Sequence, residues 1–379
     1  MPKEPAFISL KFSLCELVRP EMTMNLLRRC SLFVIPLFVA ACSYDNRQSG
    51  VDPQSDTTRM SDDLYNFILW IDIFMAVGVT FVLFYALWKF RYRGETDRPK
   101  QVHGHLIAEV CWTIAPVFIL VAIMVPTVQT IFAQQSAPPA DALHIKVIGK
   151  QWWWEYEYND SGVVVGNELH VPAGRPVYLD MVSTDVIHSW WAPKLTGKRD
   201  VNSWQRTFLQ FTADKPGTYW GQCVEYCGDS HALMRIKVVV NTPEDFEKWL
   251  AHQGRDVVVQ PEPEVKAALA QCFTCHSMRG VLAKGAPVVR TQRSGPDLTH
   301  LASRTTLFAD VRDFSVDHIK EWLRDPRSVK AGVRMPGAKV IDESAYPPMA
   351  EDKVRGIDAK ISLEGDLLDK VADYLASLK

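Results

Sequence analysis

The segment Cys223-Val-Glu225-Tyr-Cys227-Gly-Asp-Ser-His231-Ala-Leu-Met234 brings two thiols, an imidazole and a thioether into twelve residues. Nitrogen and sulfur ligands of this kind suit copper better than calcium or magnesium, which prefer oxygen. The four-residue spacing of the two cysteines and the histidine would fit one face of a helix, but Gly221, Gly228 and the strand-like segments around them favour a loop. The segment therefore predicts a metal-binding loop.

Short apolar stretches rich in β-branched residues lie before and after this loop. They are Leu143–Gly149, Val163–Val171, Pro176–Thr184, Gln205–Thr212, Gly217–Gln222 and Met234–Val240. Short strands at this spacing are typical of a sandwich or a barrel. We therefore predict an all-β domain over residues 140–250, with its metal ligands on loops. His188, which follows one strand, is a further candidate ligand.

A second metal signature, Cys272-Phe-Thr-Cys275-His276, lies beyond a segment rich in Pro and Glu. In the haem c attachment sequence, two thiols form thioethers with the porphyrin and the adjacent histidine ligates the iron; a chance zinc or redox match is the alternative. Apolar residues recur at helical spacing in Val265–Phe273, Val316–Leu323 and Leu367–Leu378. We predict a linker over 251–263 and an all-α haem domain over 264–379. Two metal centres on one chain indicate an electron relay.

The bulk composition narrows the class of protein. The chain has 379 residues, a formal net charge of -2 and 47% apolar residues, which fits a protein that is part membrane and part globular. The slightly negative net charge argues against nucleic acid as a partner. Four of the eight cysteines lie in the two metal motifs. The other four lie in or before apolar segments, so no disulfide framework is predicted; they are Cys15, Cys30, Cys42 and Cys111.

The first 41 residues are predicted to be an N-terminal extension and a signal peptide. Met24-Asn-Leu-Leu-Arg28-Arg29 gives a basic start, and Cys30–Ala40 gives an apolar stretch too short to cross a bilayer. Val39-Ala40-Ala41-Cys42 resembles a bacterial lipobox, so Cys42 is a candidate for lipidation, with ordinary signal-peptidase cleavage as the alternative. Residues 42–63 form a segment ahead of the membrane.

Two stretches within residues 64–133, Leu64–Phe90 and Leu106–Phe132, are long and apolar enough to cross a bilayer as helices. The segment between them is basic, which places it in the cytoplasm and everything after the second span outside. The spans carry Asp72 and Glu109. A carboxylate at membrane depth is a functional candidate, although Glu109 lies near the cytoplasmic end and an ordinary interfacial position is the alternative.

Residues 64–250 resemble subunit II of cytochrome c oxidase. The resemblance rests on Gln151-Trp152-Trp-Trp-Glu-Tyr156, on Asp185-Val-Ile-His188-Ser-Trp-Trp-Ala-Pro193 and on the Cys223–Met234 motif. The C-terminal part resembles a class I cytochrome c, with Gly295-Pro-Asp-Leu298 matching the segment whose proline carbonyl orients the proximal histidine. The resemblance implies a multidomain membrane protein: a two-helix transmembrane hairpin, an all-β cupredoxin-like sandwich and an all-α class I cytochrome c domain.

The resemblance also implies roles for individual residues. In the dinuclear copper centre (CuA), Cys223 and Cys227 bridge the metals, His188 and His231 each cap one copper, Met234 is a weak ligand and Glu225 supplies its backbone carbonyl. The Glu225 carboxylate reaches a magnesium ion at the junction with subunit I. Trp152 is the exposed aromatic that accepts electrons, and Glu109 lies at the mouth of a proton-uptake channel.

For the haem, the resemblance implies attachment to Cys272 and Cys275 and a sixth iron ligand from a methionine. Met335, in Gly332-Val-Arg-Met335-Pro336, resembles the family's methionine loop and is preferred. Met349, which follows two prolines in an apparent insertion, is the alternative.

The implied function is that of a respiratory cytochrome c oxidase subunit II with a fused cytochrome c domain, in the bacterial inner membrane. It would relay electrons through haem c and copper to subunit I, where oxygen is reduced and protons are translocated. The implied partners are subunits I and III, a cytochrome c or another periplasmic donor, and the lipid membrane. Two rivals differ in their ligands: a quinol-oxidase subunit II lacks the copper residues, and a copper chaperone needs no haem.

Overall fold

Alternating apolar and polar side chains build a β-sandwich in the middle of the chain. The computed structural model describes residues 46–94, 101–281, 295–338 and 361–379. The strands are β1 (Leu143–Lys150), β2 (Trp153–Tyr158), β3 (Val163–Gly166), β4 (Glu168–Pro172), β5 (Pro176–Ser183), β6 (His188–Trp191), β7 (Arg199–Val201), β8 (Thr207–Thr212), β9 (Gly217–Cys223) and β10 (Arg235–Asn241). They form two sheets, in the orders β3-β2-β1-β5-β8 and β4-β10-β9-β6-β7. The predicted all-β sandwich is confirmed.

The apolar side chains between these sheets form one core. Along β5 every second residue is buried, as the two-residue period of a strand requires. Large aromatic side chains fill the middle of the core: Trp154, Tyr156 and Trp190 are each fully buried. The loops of the sandwich therefore extend from a rigid frame.

The predicted strand Val163–Val171 is wrong as a single element. Asn167 adopts a left-handed backbone with φ of 68°, and its side-chain oxygen accepts a hydrogen bond from Trp154 N–H at 3.1 Å. Asparagine tolerates this conformation better than most residues. The chain consequently leaves one sheet after β3 and joins the other sheet as β4.

Two long apolar helices precede the sandwich, α1 (Asp56–Lys89) and α2 (Leu106–Gln134). At about 1.5 Å per residue both exceed the roughly 30 Å of a bilayer core, and both qualify as candidate membrane spans. Most of their side chains are exposed on this chain alone, as expected of helices that lipid or partner subunits would surround. The two predicted spans are confirmed, but α1 begins eight residues earlier than predicted.

The early start of α1 attaches the hairpin to the sandwich. Ser55 caps the helix, and its hydroxyl donates to the Leu195 carbonyl at 2.6 Å. Asp56 accepts from Thr212 N–H on β8 at 2.7 Å. At the other helix, Gln134 donates to the Thr57 carbonyl at 3.2 Å. These contacts fix the orientation of the sandwich relative to the helix hairpin.

A second core begins after helix α3 (Pro243–Gln253), which ends inside the predicted linker. We call residues 257–379 the C-terminal region. Its described elements are α4 (Pro263–Leu269), β11 (Thr306–Leu307), β12 (Arg312–Asp313), α5 (Val316–Arg324), α6 (Pro326–Val329) and α7 (Asp366–Ala376). The last helix, α7, packs against both α4 and α5. The three predicted helices are present, and the first is shortened because the chain turns into a 3₁₀ helix at Cys272–Thr274.

The C-terminal region is joined to the sandwich at a buried carboxylate. Glu168, on β4, is 3% exposed. It accepts hydrogen bonds from the backbone N–H and the hydroxyl of both Thr305 and Thr306, at 2.8 to 3.0 Å. Lys237 Nζ lies 3.5 Å away. A buried carboxylate needs such donors, and this junction holds the two cores together.

Candidate metal centre

The predicted metal-binding loop connects β9 to β10. Cys223 is the last residue of β9, and its N–H donates to the Met234 carbonyl at 2.9 Å, which closes the loop. The loop contains a short 3₁₀ helix, His231–Leu233. His188 begins β6, which pairs with β9 so that Trp190 lies opposite Cys223. The sheet therefore brings His188 to the loop from 35 residues away.

The structure brings the six predicted copper ligands together. The two thiol sulfurs of Cys223 and Cys227 lie 3.9 Å apart. His188 Nδ1 is 3.9 Å from the Cys223 sulfur and His231 Nδ1 is 3.4 Å from the Cys227 sulfur, one imidazole beside each thiol.

The remaining two ligand candidates complete the cluster. Met234 Sδ is 3.9 Å from the Cys227 sulfur, and the Glu225 carbonyl oxygen is 3.3 Å from the Cys223 sulfur. The donor atoms of His188, Cys223 and Cys227 all lie within 4.8 Å of one another. This set of soft donors fits copper.

Water has little access to the cluster. Cys223 and Cys227 are 3% and 2% exposed, and His188 and Met234 are fully buried. His231 is half-buried, whereas Glu225 and Tyr226 lie on the surface. The sulfur ligands are therefore shielded while one side of the loop faces outward.

Asp185 orients His188, a role that the sequence analysis missed. Its carboxylate lies 2.8 Å from His188 Nε2 and accepts from the backbone N–H of Gln151 at 2.7 Å. A carboxylate only accepts, so Nε2 carries the proton and the Nδ1 lone pair faces Cys223. Such partners fix the tautomer of metal-binding histidines. The available signal was a carboxylate three residues before a ligand histidine.

The protonation of these groups follows from their contacts. The hydrogen bond between the two sulfurs lowers the pKa of Cys223, because its thiolate accepts from the Cys227 thiol. The same hydrogen bond raises the pKa of Cys227. Burial disfavours the imidazolium at His188, but Asp185 and Cys223 outweigh it and its pKa is raised. A metal that binds both thiolates displaces the shared proton.

Trp152 lies beside the cluster but is not exposed as predicted. Its indole N–H donates to the Cys227 carbonyl at 3.0 Å, and it is only 6% exposed. The C-terminal region covers it, because the backbone at Gly332 lies against the ring: a Cβ there would be 2.7 Å from the indole. Lys330 Nζ also donates to the Trp152 carbonyl at 2.6 Å. Burial lowers the pKa of Lys330 to about 7.

The Cys272–His276 motif forms a tight turn in the C-terminal region. His276 N–H donates to the Cys272 carbonyl at 2.9 Å. The predicted contact of the proximal histidine is present, since His276 Nδ1 lies 2.7 Å from the Pro296 carbonyl oxygen. That carbonyl only accepts, so Nδ1 carries the proton and Nε2 keeps its lone pair for a metal.

Met335 lies at the margin of the second core. Its sulfur is 2.8 Å from the indole nitrogen of Trp322, which stacks on Phe308. Cys272, Phe273 and Phe308 are also partly buried against this core. The alternative ligand, Met349, lies outside the described residues.

Glu109 lies on the helix hairpin, far in sequence from the metal cluster. It lies in the first turn of α2, is exposed, and accepts from the backbone N–H of His105 at 3.1 Å. Asp72 is also exposed, on α1. The structure therefore places both carboxylates on the helix hairpin, where only a membrane or a partner subunit would surround them.

Comparison with known proteins places this fold in a family. A family model described as "Cytochrome C oxidase subunit II, periplasmic domain" matches residues 161–241, and one described as "Cytochrome C oxidase subunit II, transmembrane domain" matches residues 48–130. The periplasmic domain of that family implies a CuA copper centre, in agreement with the donor set.

Curated relatives cover nearly the whole chain. A cytochrome c oxidase subunit 2 from Alkalihalophilus pseudofirmus is 30% identical over 89% of this chain and 97% of its own length. One from Bacillus subtilis is 30% identical over 86% of this chain and 94% of its own length. A quinol oxidase subunit 2 from Bacillus cereus is 29% identical over 56% of this chain and 75% of its own length. The chain therefore belongs to the cytochrome c oxidase subunit II family and is a membrane-anchored component of that enzyme.

Proposed function

We propose that this subunit carries electrons from an external donor through a haem c in its C-terminal region and a dinuclear copper centre in its sandwich. From there they pass to subunit I, where oxygen is reduced and protons are moved. The observation that carries this proposal is the pair of buried thiols 3.9 Å apart with one imidazole nitrogen beside each. Cys223 and Cys227 are proposed as the two bridging ligands.

The donor geometry fits two metal ions. Cys223 and Cys227, whose sulfur atoms are 3.9 Å apart, would hold the two ions through thiolate ligands, which copper favours. His188 and His231 are proposed to cap one copper each, with Met234 and the Glu225 carbonyl as weaker ligands. Copper bound there supplies a one-electron site whose shared thiolates spread the electron over two metals, so that little reorganisation accompanies transfer.

The protein keeps these ligands in place before any metal binds. Asp185 holds the His188 tautomer, and the closed loop fixes the spacing of the thiols. Gln151 and Trp152 both donate to the Cys227 carbonyl, at 2.8 and 3.0 Å, so the loop cannot move freely on the sandwich. Preorganised ligands of this kind support fast transfer because the protein does not rearrange.

The C-terminal region contains the residues that we propose as ligands for haem c. Cys272 and Cys275 are proposed as the thioether attachment points and His276 as the proximal ligand, with Nε2 left available by the Pro296 contact. Met335 is proposed as the sixth ligand, which raises the reduction potential of a haem. Half-buried apolar side chains around these residues provide the surface that a porphyrin would cover.

Further roles belong to exposed carboxylates. The Glu225 side chain is exposed beside the cluster, and we assign it to a magnesium ion at the junction with subunit I. Glu109, near the end of a membrane span, is assigned to proton uptake. Neither role needs a contact within this chain, because both sites would be completed by subunit I.

The proposed topology places the metal sites outside the cytoplasm of a bacterium. Basic residues between α1 and α2 favour the cytoplasmic side for that loop, so the sandwich and the C-terminal region lie on the other side, next to a cytochrome c or another periplasmic donor. Lipidation at Cys42 would add an anchor; that residue lies outside the described residues. Subunits I and III are the proposed membrane partners.

Different features of the chain argue against the two rival functions. A subunit that serves a quinol oxidase needs no copper site, yet all six donors converge here. A copper chaperone would need neither the membrane hairpin nor the Cys272–His276 motif.

Metal analysis of single variants tests the copper assignment. Cys223→Ser should lose the dinuclear centre while the sandwich stays folded, because each thiolate bridges both metals, whereas Met234→Leu should retain copper with an altered potential. Cys111→Ser, at an exposed cysteine of α2, is the matched control. Copper near two per chain in the Cys223→Ser protein would refute the assignment.

A further inference from the structure

Trp152 connects the metal-binding loop to the C-terminal region. On one side, its indole N–H donates to the Cys227 carbonyl at 3.0 Å. The ring also lies against Gly228, where a Cβ would be 3.0 Å away. Trp152 is therefore one hydrogen bond from a proposed copper ligand.

On its other side, Trp152 is covered by the segment 330–332. Gly332 has φ of 73°, and a Cβ there would lie 2.7 Å from the indole and 2.6 Å from the Asp229 carboxylate. Ser230 Oγ donates to the Ala331 carbonyl at 2.7 Å. This backbone is seated against the metal-binding loop, and Met335 follows three residues after Gly332.

Lys330 holds this segment at the junction. Its side chain is 3% exposed, and Nζ donates to the Trp152 carbonyl at 2.6 Å and to the Phe308 carbonyl at 3.3 Å. One acceptor belongs to the sandwich and the other to the C-terminal region. Both carbonyls would lose a partner without the amine, and buried unsatisfied carbonyls are costly.

The second acceptor of Lys330 leads to the proposed sixth iron ligand. The Phe308 ring stacks on Trp322 with centroids 4.1 Å apart, and the Trp322 indole nitrogen is 2.8 Å from the Met335 sulfur. Lys330 therefore contacts the backbone of Trp152, which lies next to the copper loop. It also contacts the backbone of Phe308, whose ring belongs to the aromatic pair next to Met335.

We propose that Lys330 is a positioning residue that locks the C-terminal region onto Trp152, so that the copper centre is served by the haem of its own chain and a soluble donor cannot reach Trp152. The proposal rests on the proposed function, because it requires both metal centres. It also implies that an external donor docks on the C-terminal region rather than on the sandwich.

The test measures electron transfer from haem to copper in the purified oxidase complex after rapid photoreduction of the haem. In Lys330→Met the rate should fall while both metal spectra persist, because two buried carbonyls lose their donor and the segment is held less firmly against Trp152. Hydrogen exchange of the peptide containing Gly332 should rise. Lys266→Met, at an exposed lysine of α4, should leave both readouts unchanged.

Gly332→Ala provides an independent variant that keeps Lys330, because its added methyl would meet Trp152 and Asp229 at a backbone with φ of 73° and push the same segment away. It should slow the transfer and allow a soluble class I cytochrome c to reduce the copper directly. If Lys330→Met and Gly332→Ala both match the unmodified protein in rate and exchange, the locking role is refuted. A wild-type complex without covalent haem or without the copper absorption would instead refute the proposed function.

Discussion

Asp185→Asn should weaken copper binding at the imidazole of His188 without unfolding the sandwich. The native carboxylate accepts from His188 Nε2 at 2.8 Å through one oxygen and from Gln151 N–H at 2.7 Å through the other. An asparagine has one oxygen and one NH₂ group. Whichever way the amide is turned, its NH₂ group therefore faces one of the two donors, His188 Nε2–H or Gln151 N–H.

The expected magnitude follows from this loss. A hydrogen bond to a charged group contributes about 1.5 to 3 kcal/mol. Since each 1.4 kcal/mol is about tenfold in an equilibrium constant, copper affinity should fall by about 10- to 100-fold, the range found for partners of metal-binding histidines. Because His188 caps only one metal in the proposed site, loss should begin with that copper.

Competition with a copper chelator, followed through the near-infrared absorption of the copper centre, measures this loss. Asp160→Asn, at an exposed position in the turn between β2 and β3, is the matched control and should bind copper normally. Thermal unfolding of the metal-free proteins separates binding from folding. An Asp185→Asn protein that competes for copper as well as the control does would show that the orientation of His188 does not matter.

Three further outcomes are expected. Burial alone would raise the pKa of Glu168, but Lys237 and the hydrogen bonds from Thr305 and Thr306 outweigh burial, and the pKa is lowered. The ionised Glu168 therefore stabilises the folded protein above the pKa of the unfolded state. This stabilisation is lost as the pH falls through the pKa of the folded state. Glu168→Gln should cost about 3 kcal/mol at neutral pH and converge with the unmodified protein in acid, as denaturant unfolding at several pH values would show; a constant difference would contradict this. Met335→Ala should remove the weak sulfur-to-iron charge-transfer band of the oxidised haem, and survival of that band together with its loss in Met349→Ala would reverse the assignment. Glu109→Gln should slow oxygen consumption and proton uptake while leaving both metal spectra unchanged, and normal turnover would return the residue to an interfacial role.

The local parts of the copper site could be predicted from sequence because its ligands are close in sequence. Five of the six proposed ligands lie between Cys223 and Met234, and the loop geometry follows from the strands on each side. His188 required the resemblance of its surrounding motif, since pairing of β6 with β9 is a long-range contact. Residue type and spacing carried the inference for the loop, and the resemblance carried the inference for His188.

The junction between the two cores could not be predicted in the same way. Lys330 contacts Trp152 across 178 residues, and Glu168 contacts Thr305 across 137. No periodicity or local motif encodes such pairs. The exposure of Trp152 was predicted wrongly for this reason, because its burial depends on the docked backbone at Gly332.

The break between β3 and β4 shows a different cause of error. The residues on both sides of Asn167 have the composition of one strand, and a single left-handed residue is enough to move the chain to the other sheet. Asparagine occurs both in loops and in this conformation, so the residue type alone indicated a break only weakly.

A visible and near-infrared spectrum of the purified complex, before and after full reduction, would show whether this chain carries both haem c and copper. We expect a haem c absorption that stays with this polypeptide after denaturation, because the attachment is covalent, and a near-infrared band of mixed-valence copper that disappears on reduction. Haem released by denaturation, or the absence of the near-infrared band from copper-replete protein, would contradict it.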